Sequence, residues 1–427
     1  MNTFYLLLDI GSTSIKCALT QSGNTRLSQI KSSPTPHFLT TSSDIKEIEP
    51  IVLLATCKKL IENYLKSGLV FDGLLITGQM GCWVLTDLEN SPLTNLVSWQ
   101  DSRGFIGGVG GPNSYNFLNK EISHELRKSN GNEFRMGLPL VGLHQHLKDT
   151  PVQGSGIRIH SLISWVGSQL SEDYKFIAHS TDAAASGFFD IWHQSWSQIA
   201  LAHFPRDLYF PEVTNDIVEI GTNPELSCPV FTPIGDQQSS LLGIGIRENQ
   251  IAVNIGTGGQ IAKVVDKLTS GEVQQRPYFK ETFIITKTHL PAGRSIAAFL
   301  SFIMGKVPQG NDFIWMNSQS VSPHQLKKIE VKDFQTEIMN LSNSKNYSKA
   351  ELAANVIESL ARSYALEIKK ISNDNDSELL MAGGIGKRMT KIGEILGKEL
   401  DMQVIFTDTE ETTLQGLANS INFLNFH

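Results

Sequence analysis

Short apolar runs bounded by polar turns alternate along this chain with longer segments whose apolar positions recur at helical spacing. Residues 47–67 carry the helical rhythm, and Gly73-Leu-Leu-Ile-Thr77 follows as a brief uninterrupted run, the pattern of a buried strand. The succession returns later. Residues 350–371 predict a long amphipathic helix with Leu352, Val356, Leu360, Tyr364 and Ile368 on one face. Residues 377–382 predict a strand feeding the turn Gly383-Gly384, and 390–400, 402–406 and 412–424 predict a helix, a strand and a last helix. Strands alternating with helices predict sheets covered by helices, an α/β architecture.

One short pattern occurs twice. Phe4-Tyr-Leu-Leu-Leu-Asp9-Ile-Gly-Ser-Thr13 is an apolar run closed by a polar, glycine-containing turn, and Ile251-Ala-Val-Asn254-Ile-Gly-Thr257-Gly-Gly repeats the design 245 residues on. Each turn leads into another apolar run, 14–19 and 260–265. Two such hairpins predict two domains of one topology. The prolines in Cys228-Pro-Val-Phe-Thr-Pro233 place the expected boundary there, giving domains 1–229 and 230–427. Residues 104–115 open with five glycines in eight positions and read as a loop on the first domain.

Composition narrows the function classes. The 427 residues carry 36 Lys plus Arg against 43 Asp plus Glu, a net charge of -7, with no basic block of the kind that coats nucleic acid. No apolar run approaches the length of a membrane span, and residues 1–10 lack the Lys or Arg of a secretory leader. Four scattered cysteines (Cys17, Cys57, Cys82, Cys228) indicate neither a disulfide framework nor a zinc site. The expectation is a soluble, cytoplasmic α/β protein, monomer or homodimer, without nucleic-acid or membrane partners.

The candidate chemistry sits at the ends of the apolar runs. Asp9-Ile-Gly-Ser-Thr-Ser-Ile-Lys16 can present N–H groups and hydroxyls to an anion, with Asp9 suited to hydrated magnesium. Asn254-Ile-Gly-Thr-Gly-Gly259 can do the same, although ordinary hairpin turns explain both segments equally well. Gly383-Gly384-Ile-Gly386 sits at a strand-to-helix junction where backbone can meet a nucleotide, and no Walker A spacing or opening GxGxxG competes with it. Gly78-Gln79-Met80 and Trp99-Gln100-Asp101-Ser-Arg103 bring an amide, a carboxylate, a guanidinium and an indole together, the groups that bind a polyol; a half-buried Trp beside a surface ion pair is the plainer reading. Asp236, in Ile234-Gly-Asp-Gln-Gln, fits a helix N-cap and also a general base, and the two roles are compatible. His144 and His146, two apart on a helix, read as a solvated surface rather than a metal pair.

In their order and spacing these motifs, together with Thr181-Asp182-Ala-Ala-Ala-Ser186 and Ala382-Gly-Gly384, resemble the FGGY family of carbohydrate kinases from residue 4 to about 420. The resemblance implies an α/β, two-domain actin/hexokinase-like (ribonuclease H-like) duplicated fold with an interdomain cleft. It implies ATP and Mg2+ as cofactors, Asp236 as catalytic base, and Asp9 and Thr13 near magnesium and the transferred phosphate. Gly256 and Thr257 would contact nucleotide phosphates, and Gly383 and Gly384 would line the adenosine pocket. Gln79, Met80, Trp99, Gln100, Asp101 and Arg103 would face the sugar, with Asp101 the foremost hydroxyl ligand. The motifs are most similar to the sedoheptulokinase and xylulokinase branches. Gln79-Met80-Gly81-Cys82 departs from their Gln-Met-His-Gly, so a sugar-contacting His is missing and room is expected beside Gly81. A ketose, sedoheptulose first, is the expected acceptor. Xylulose, another pentulose or a polyol, or a catalytically weak regulator of the same fold, are the alternatives.

Overall fold

The computed structural model describes residues 3–424 except 22, 41, 67, 107–112, 123, 151–155 and 321–346. Residues 107–112, the glycine-rich core of the expected loop, thus lie outside the described residues. The chain divides into two compact units: Met1–Gly243 with Asp266–Phe283 and Glu411–His427, and Ile244–Val265 with Ile284–Glu410.

In the first unit the main sheet runs Glu219–Asn223, Cys228–Phe231, Val70–Gly78, Thr3–Ile10, Ser14–Gln21, Asn24–Pro34, and Ile234–Gly235 also pairs with Val70–Gly78. Leu6, Leu7 and Leu8 have no exposed surface, which is why the first strand shows an unbroken apolar run rather than alternation. The hairpin register sets Asp9 opposite Lys16. The parallel registers align Ile10 with Gly78, and Gly78 with Gly235. Three chain segments therefore finish at one edge, with Asp9, Gln79 and Asp236 at or just beyond their ends. Helix Pro50–Leu65 packs Leu53, Cys57, Leu60, Ile61 and Tyr64 into the same core. Helices Asp236–Gly243 and Thr412–Ser420 touch backbone to backbone. A Cβ on Gly416 would stand 1.7 Å from the Ser239 carbonyl oxygen, and one on Gly243 would stand 1.8 Å from that of Thr412. A smaller sheet, ordered Leu208–Tyr209, Ile157–Ser161, Trp83–Thr86, Leu96–Val97, Glu47–Ile48, builds a second core around Trp83, Leu143 and Phe188.

The expected boundary at 229/230 is corrected. Cys228–Phe231 and Ile234–Gly235 belong to the first unit's sheet, and the chain first leaves that unit after Gly243. Pro229 lies within one short strand and Pro233 just before the next, so the prolines punctuate strands rather than a domain junction.

In the second unit five strands follow the order Phe283–Leu290, Gly259–Val265, Gln250–Ile255, Glu378–Ala382, Gln403–Phe406. The hairpin again supplies a central strand that pairs in parallel with a later one, here Asn254 with Ala382. Helix Lys349–Ile371 begins with a Ser348/Glu351 capping box and buries the five residues expected on its apolar face. Lys263 and Asp376 form a buried ion pair at 2.7 Å. No described helix is long and apolar enough to cross a membrane.

Candidate active site

Three aspartates share one electrostatic environment in the first unit. Asp9 is pushed up to about 8, chiefly by burial and next by the Asp236 carboxylate, with Lys16 pulling the other way. Lys16 is itself tied to Glu411 at 2.5 Å. Asp182, buried at the start of the short helix Ser180–Ala183, is raised to about 7 by burial, against a hydrogen bond from the Ser161 hydroxyl and reinforced by Asp236. Its Oδ1 has no hydrogen-bond partner among the described residues. Asp236 opens its helix directly after Gly235 and is raised to about 6 by burial. The Gln237 backbone N–H and Arg276 limit that rise. A carboxylate titrating near neutrality at a strand end is placed to accept a proton at working pH.

Thr13 is exposed on the hairpin turn, where the Gly11 N–H donates to the Ser14 carbonyl at 3.1 Å. Gln79 and Met80 are buried beyond the end of their strand. The Gln79 N–H donates to the Ile10 carbonyl at 3.0 Å, and Met80 Sδ lies 3.8 Å from Arg276 Nη1 beside the Gly235 turn. Arg276 is anchored by Glu133. Its Nη2 donates to both Glu133 oxygens at 2.8 and 2.7 Å, its Nε to Oε2 at 3.1 Å, and its Nη1 to Gln237 Oε1 at 2.7 Å. Arg135 Nε donates to Glu133 Oε1 at 2.9 Å. The two guanidiniums hold Glu133 down at about 2 against its burial.

The room expected beside Gly81 is bounded on one side by a guanidinium from a distant loop: a Cβ built there would stand 3.0 Å from Arg135 Nη2, and Gly81 still lines a cavity with Asp182. Gly81 has φ +75°, a backbone state that L side chains rarely adopt.

Asp101 is also corrected. Its Oδ1 accepts from the Arg103 N–H at 2.9 Å and Arg103 Nε at 2.8 Å, while Oδ2 accepts from the Lys46 N–H at 2.8 Å and Arg103 Nη2 at 2.9 Å. Four internal donors use the positions a sugar hydroxyl would need. Arg103 Nη2 reaches on to Glu47 at 2.6 Å, and the guanidinium lies over the Trp83 ring. This pair therefore holds the loop that carries Trp99 and Gln100, both half-buried. His144 and His146 are half-buried rather than solvated. His144 stacks on Phe117 and lies 2.7 Å from the Ser114 hydroxyl, and His146 packs edge-on to Trp83. Burial lowers both, His144 to about 4.

The second unit brings its two glycine turns into contact. Gly383 has φ +86°, and a Cβ on it would lie 2.4 Å from Asn254 Oδ1 and 2.5 Å from the Ile255 carbonyl. Gly384 opens a short helix with open space beside it. The Gly293 and Arg294 N–H groups donate to the Gly256 and Thr257 carbonyls at 3.0 and 3.1 Å, so helix Gly293–Met304 also starts at this turn. Sequence reasoning missed Gly293, Glu133, Arg135 and Arg276, and it gave Asp182 and Gln237 no role although both stand in quoted motifs.

Among the described residues no three His, Cys, Asp or Glu side chains cluster closely enough to cage a metal. The oxygen donors of Asp9 and Asp236 nonetheless suit magnesium, which is commonly held by one or two carboxylates together with water and substrate phosphates. Their mutual repulsion is the kind of cost a divalent cation relieves.

The fold and this set of strand-end carboxylates define a class: α/β proteins built like the sugar kinases. A gluconate kinase from Lactobacillus acidophilus superposes with a TM-score of 0.82 at 16% identity, covering 100% of this chain and 91% of that one. The xylulose kinase of the same organism gives 0.81 at 16%, covering 100% and 90%. Plasmodium falciparum glycerol kinase with ADP gives 0.77 at 14%, covering 98% and 88%. These likenesses establish the actin/hexokinase-like fold. The profile of the FGGY family of carbohydrate kinases, N-terminal domain, matches residues 4–243. The chain belongs to that family. It is 23% identical over 290 residues to a gluconokinase of Bacillus subtilis (strain 168), covering 64% of this chain and 54% of the relative. It is also 23% identical over 287 residues to glycerol kinase 5 of Mus musculus, covering 60% and 52%. The chain thus spans about half the length of the curated relatives it matches.

Proposed function

We propose that this protein transfers the γ-phosphate of ATP to a hydroxyl of a small polyhydroxylated acceptor. The observation that carries the reading is Asp236, a carboxyl raised to about 6 at a strand end and coupled to Asp9 on a strand of the same sheet. Asp236 takes the proton of the acceptor hydroxyl as its oxygen bonds to the γ-phosphorus. The bond from that phosphorus to the bridging oxygen then breaks, and ADP leaves. Magnesium, held near Asp9, would neutralise charge on the phosphate oxygens. In the first unit the Ser12 and Thr13 turn offers N–H and hydroxyl donors for phosphate; in the second unit the Gly256 and Thr257 turn offers donors of the same kind, and the open space at Gly384 suits an adenosine. Gln79, Met80, Trp99 and Gln100 remain proposed acceptor contacts. The four cysteines are free and buried, which supports a reducing, cytoplasmic setting.

The sequence favours a ketose, sedoheptulose first, with xylulose next; the names of the relatives add gluconate and glycerol to the candidates. The test is ADP release with Mg-ATP over a panel of sedoheptulose, xylulose, ribulose, fructose, glycerol and gluconate. Asp236→Ala should lower turnover with the best acceptor by about a thousandfold or more while ATP still binds, since loss of a general base alone costs 10²–10⁴. Unchanged turnover in that variant sinks the base assignment.

A further inference from the structure

We infer that Arg135 is the specificity-determining residue of this site and that it reads a carboxylate on the acceptor, making a sugar acid the preferred substrate class. The inference rests on the kinase reading above and deepens it. Its basis is an imbalance in the ion-pair cluster. Arg276 spends Nε, Nη1 and Nη2 on Glu133 and Gln237. Arg135 gives Glu133 only its Nε, and neither Nη1 nor Nη2 has a hydrogen-bond partner among the described residues. Two guanidiniums against one carboxylate leave one positive charge over, and it sits on the outer nitrogens of Arg135.

Those nitrogens have a built seat. Nη2 lies 3.0 Å from where a Cβ of Gly81 would stand and Nη1 lies 2.9 Å from that of Gly137, so the guanidinium is flanked by two residues without side chains. Gly137 cannot gain one, because its Cβ would come within 2.0 Å of the Trp99 carbonyl oxygen. The Arg135 side chain keeps 22% of its surface exposed while Glu133 and Arg276 keep 5% and 6%. It is therefore the member of the cluster that a ligand can reach. Gly81 and Cys82 line a cavity with Asp182, and Met80, the residue before Gly81, meets the turn that carries Asp236, its Sδ 2.8 Å from where a Cβ of Gly235 would stand. The guanidinium and the base thus share one site.

A planar fork with two free donors matches a carboxylate in bidentate fashion, and one surplus charge matches a monoanion better than a phosphate dianion. The carboxylates of Asp182 and Asp236 repel an acid group, which orients the acceptor with its acid end at Arg135 and its hydroxyl end at Asp236.

The matched probes are gluconate and glucitol, identical chains that differ at C1 in a carboxylate or a hydroxymethyl group. Calorimetry without ATP should show gluconate binding at least about 50-fold more tightly, the range of a charge-assisted bidentate contact. Arg135→Gln should abolish that preference by raising Kd and KM for gluconate alone, with kcat changed only a few-fold, and Arg135→Lys should restore part of it. Equal binding of the two probes by the native protein overturns the inference. An equal loss of both probes in Arg135→Gln also overturns it, by revealing a structural role. Tighter binding of glucose 6-phosphate than of gluconate overturns the choice of a carboxylate. Because binding is read without ATP, absence of ADP release with every acceptor would count against the kinase reading and leave this inference to its own result.

Discussion

Replacing Glu133 with Gln removes one charge and almost no volume from a site where Arg276 is 6% exposed. Glu133 lies at about 2 in the folded protein against an ordinary 4.5. At 1.36 kcal/mol per pKa unit, that depression corresponds to about 3 kcal/mol of stability when the group is ionised. The figure agrees with the roughly 3–5 kcal/mol lost on removing one partner of a buried ion pair. Five of the six tryptophans (Trp83, Trp99, Trp165, Trp192, Trp196) lie in the first unit, so tryptophan fluorescence during urea unfolding reports that unit. With an m-value of about 3 kcal/mol/M, the midpoint at pH 7.5 should fall by about 1 M in Glu133→Gln. The folded pKa is below the unfolded one, so the stabilisation is fully present above about 4.5 and is lost as pH falls toward 2. The gap between native protein and variant should therefore narrow at pH 4. A midpoint shift below about 0.2 M at pH 7.5, or a gap that widens in acid, refutes the account.

The rate should also report Asp236. Only its ionised form accepts a proton, so kcat/KM for the free enzyme should fall tenfold per pH unit below about 6 and level off above it. A profile flat from pH 5 to 8 contradicts the assignment. In the second unit, Gly383→Ala places a Cβ 2.4 Å from Asn254 Oδ1 at φ +86°. Such strain costs upwards of about 2 kcal/mol or displaces the turn. ATP affinity, measured with a fluorescent nucleotide, should drop more than tenfold; native-like affinity removes that turn from the nucleotide site.

Much of the frame was legible along the chain. The uninterrupted run ending at Asp9 and its counterpart ending at Asn254 marked the central strand of each unit, because strands buried on both faces require consecutive apolar residues. The face Leu352, Val356, Leu360, Tyr364 and Ile368 marked the long helix, and the glycines at 383 and 384 marked the turn after its strand. These are local signals, set by side-chain period and by backbone freedom, and they survive in one dimension. Asp236 was legible for the same reason: a carboxylate at a strand-to-helix junction is a local feature.

Pairing between distant side chains leaves no such trace. Asp101 read as a sugar ligand because its neighbours were polar, and only the fold shows Lys46 and Arg103 occupying both of its oxygens. The boundary at 229 failed because a proline signals a local break without saying which sheet the next strand joins. Gly81 gave no sign of the guanidinium beside it, because Arg135 arrives from a loop 54 positions away. Glu133 and Arg276 are 143 positions apart, and the strength of their contact depends on burial, which the sequence does not specify pair by pair. Local pattern determined the strands, helices and turns of this protein. Tertiary packing alone decided which charges lost their water, which partners they found, and therefore which guanidinium was left with donors to spare.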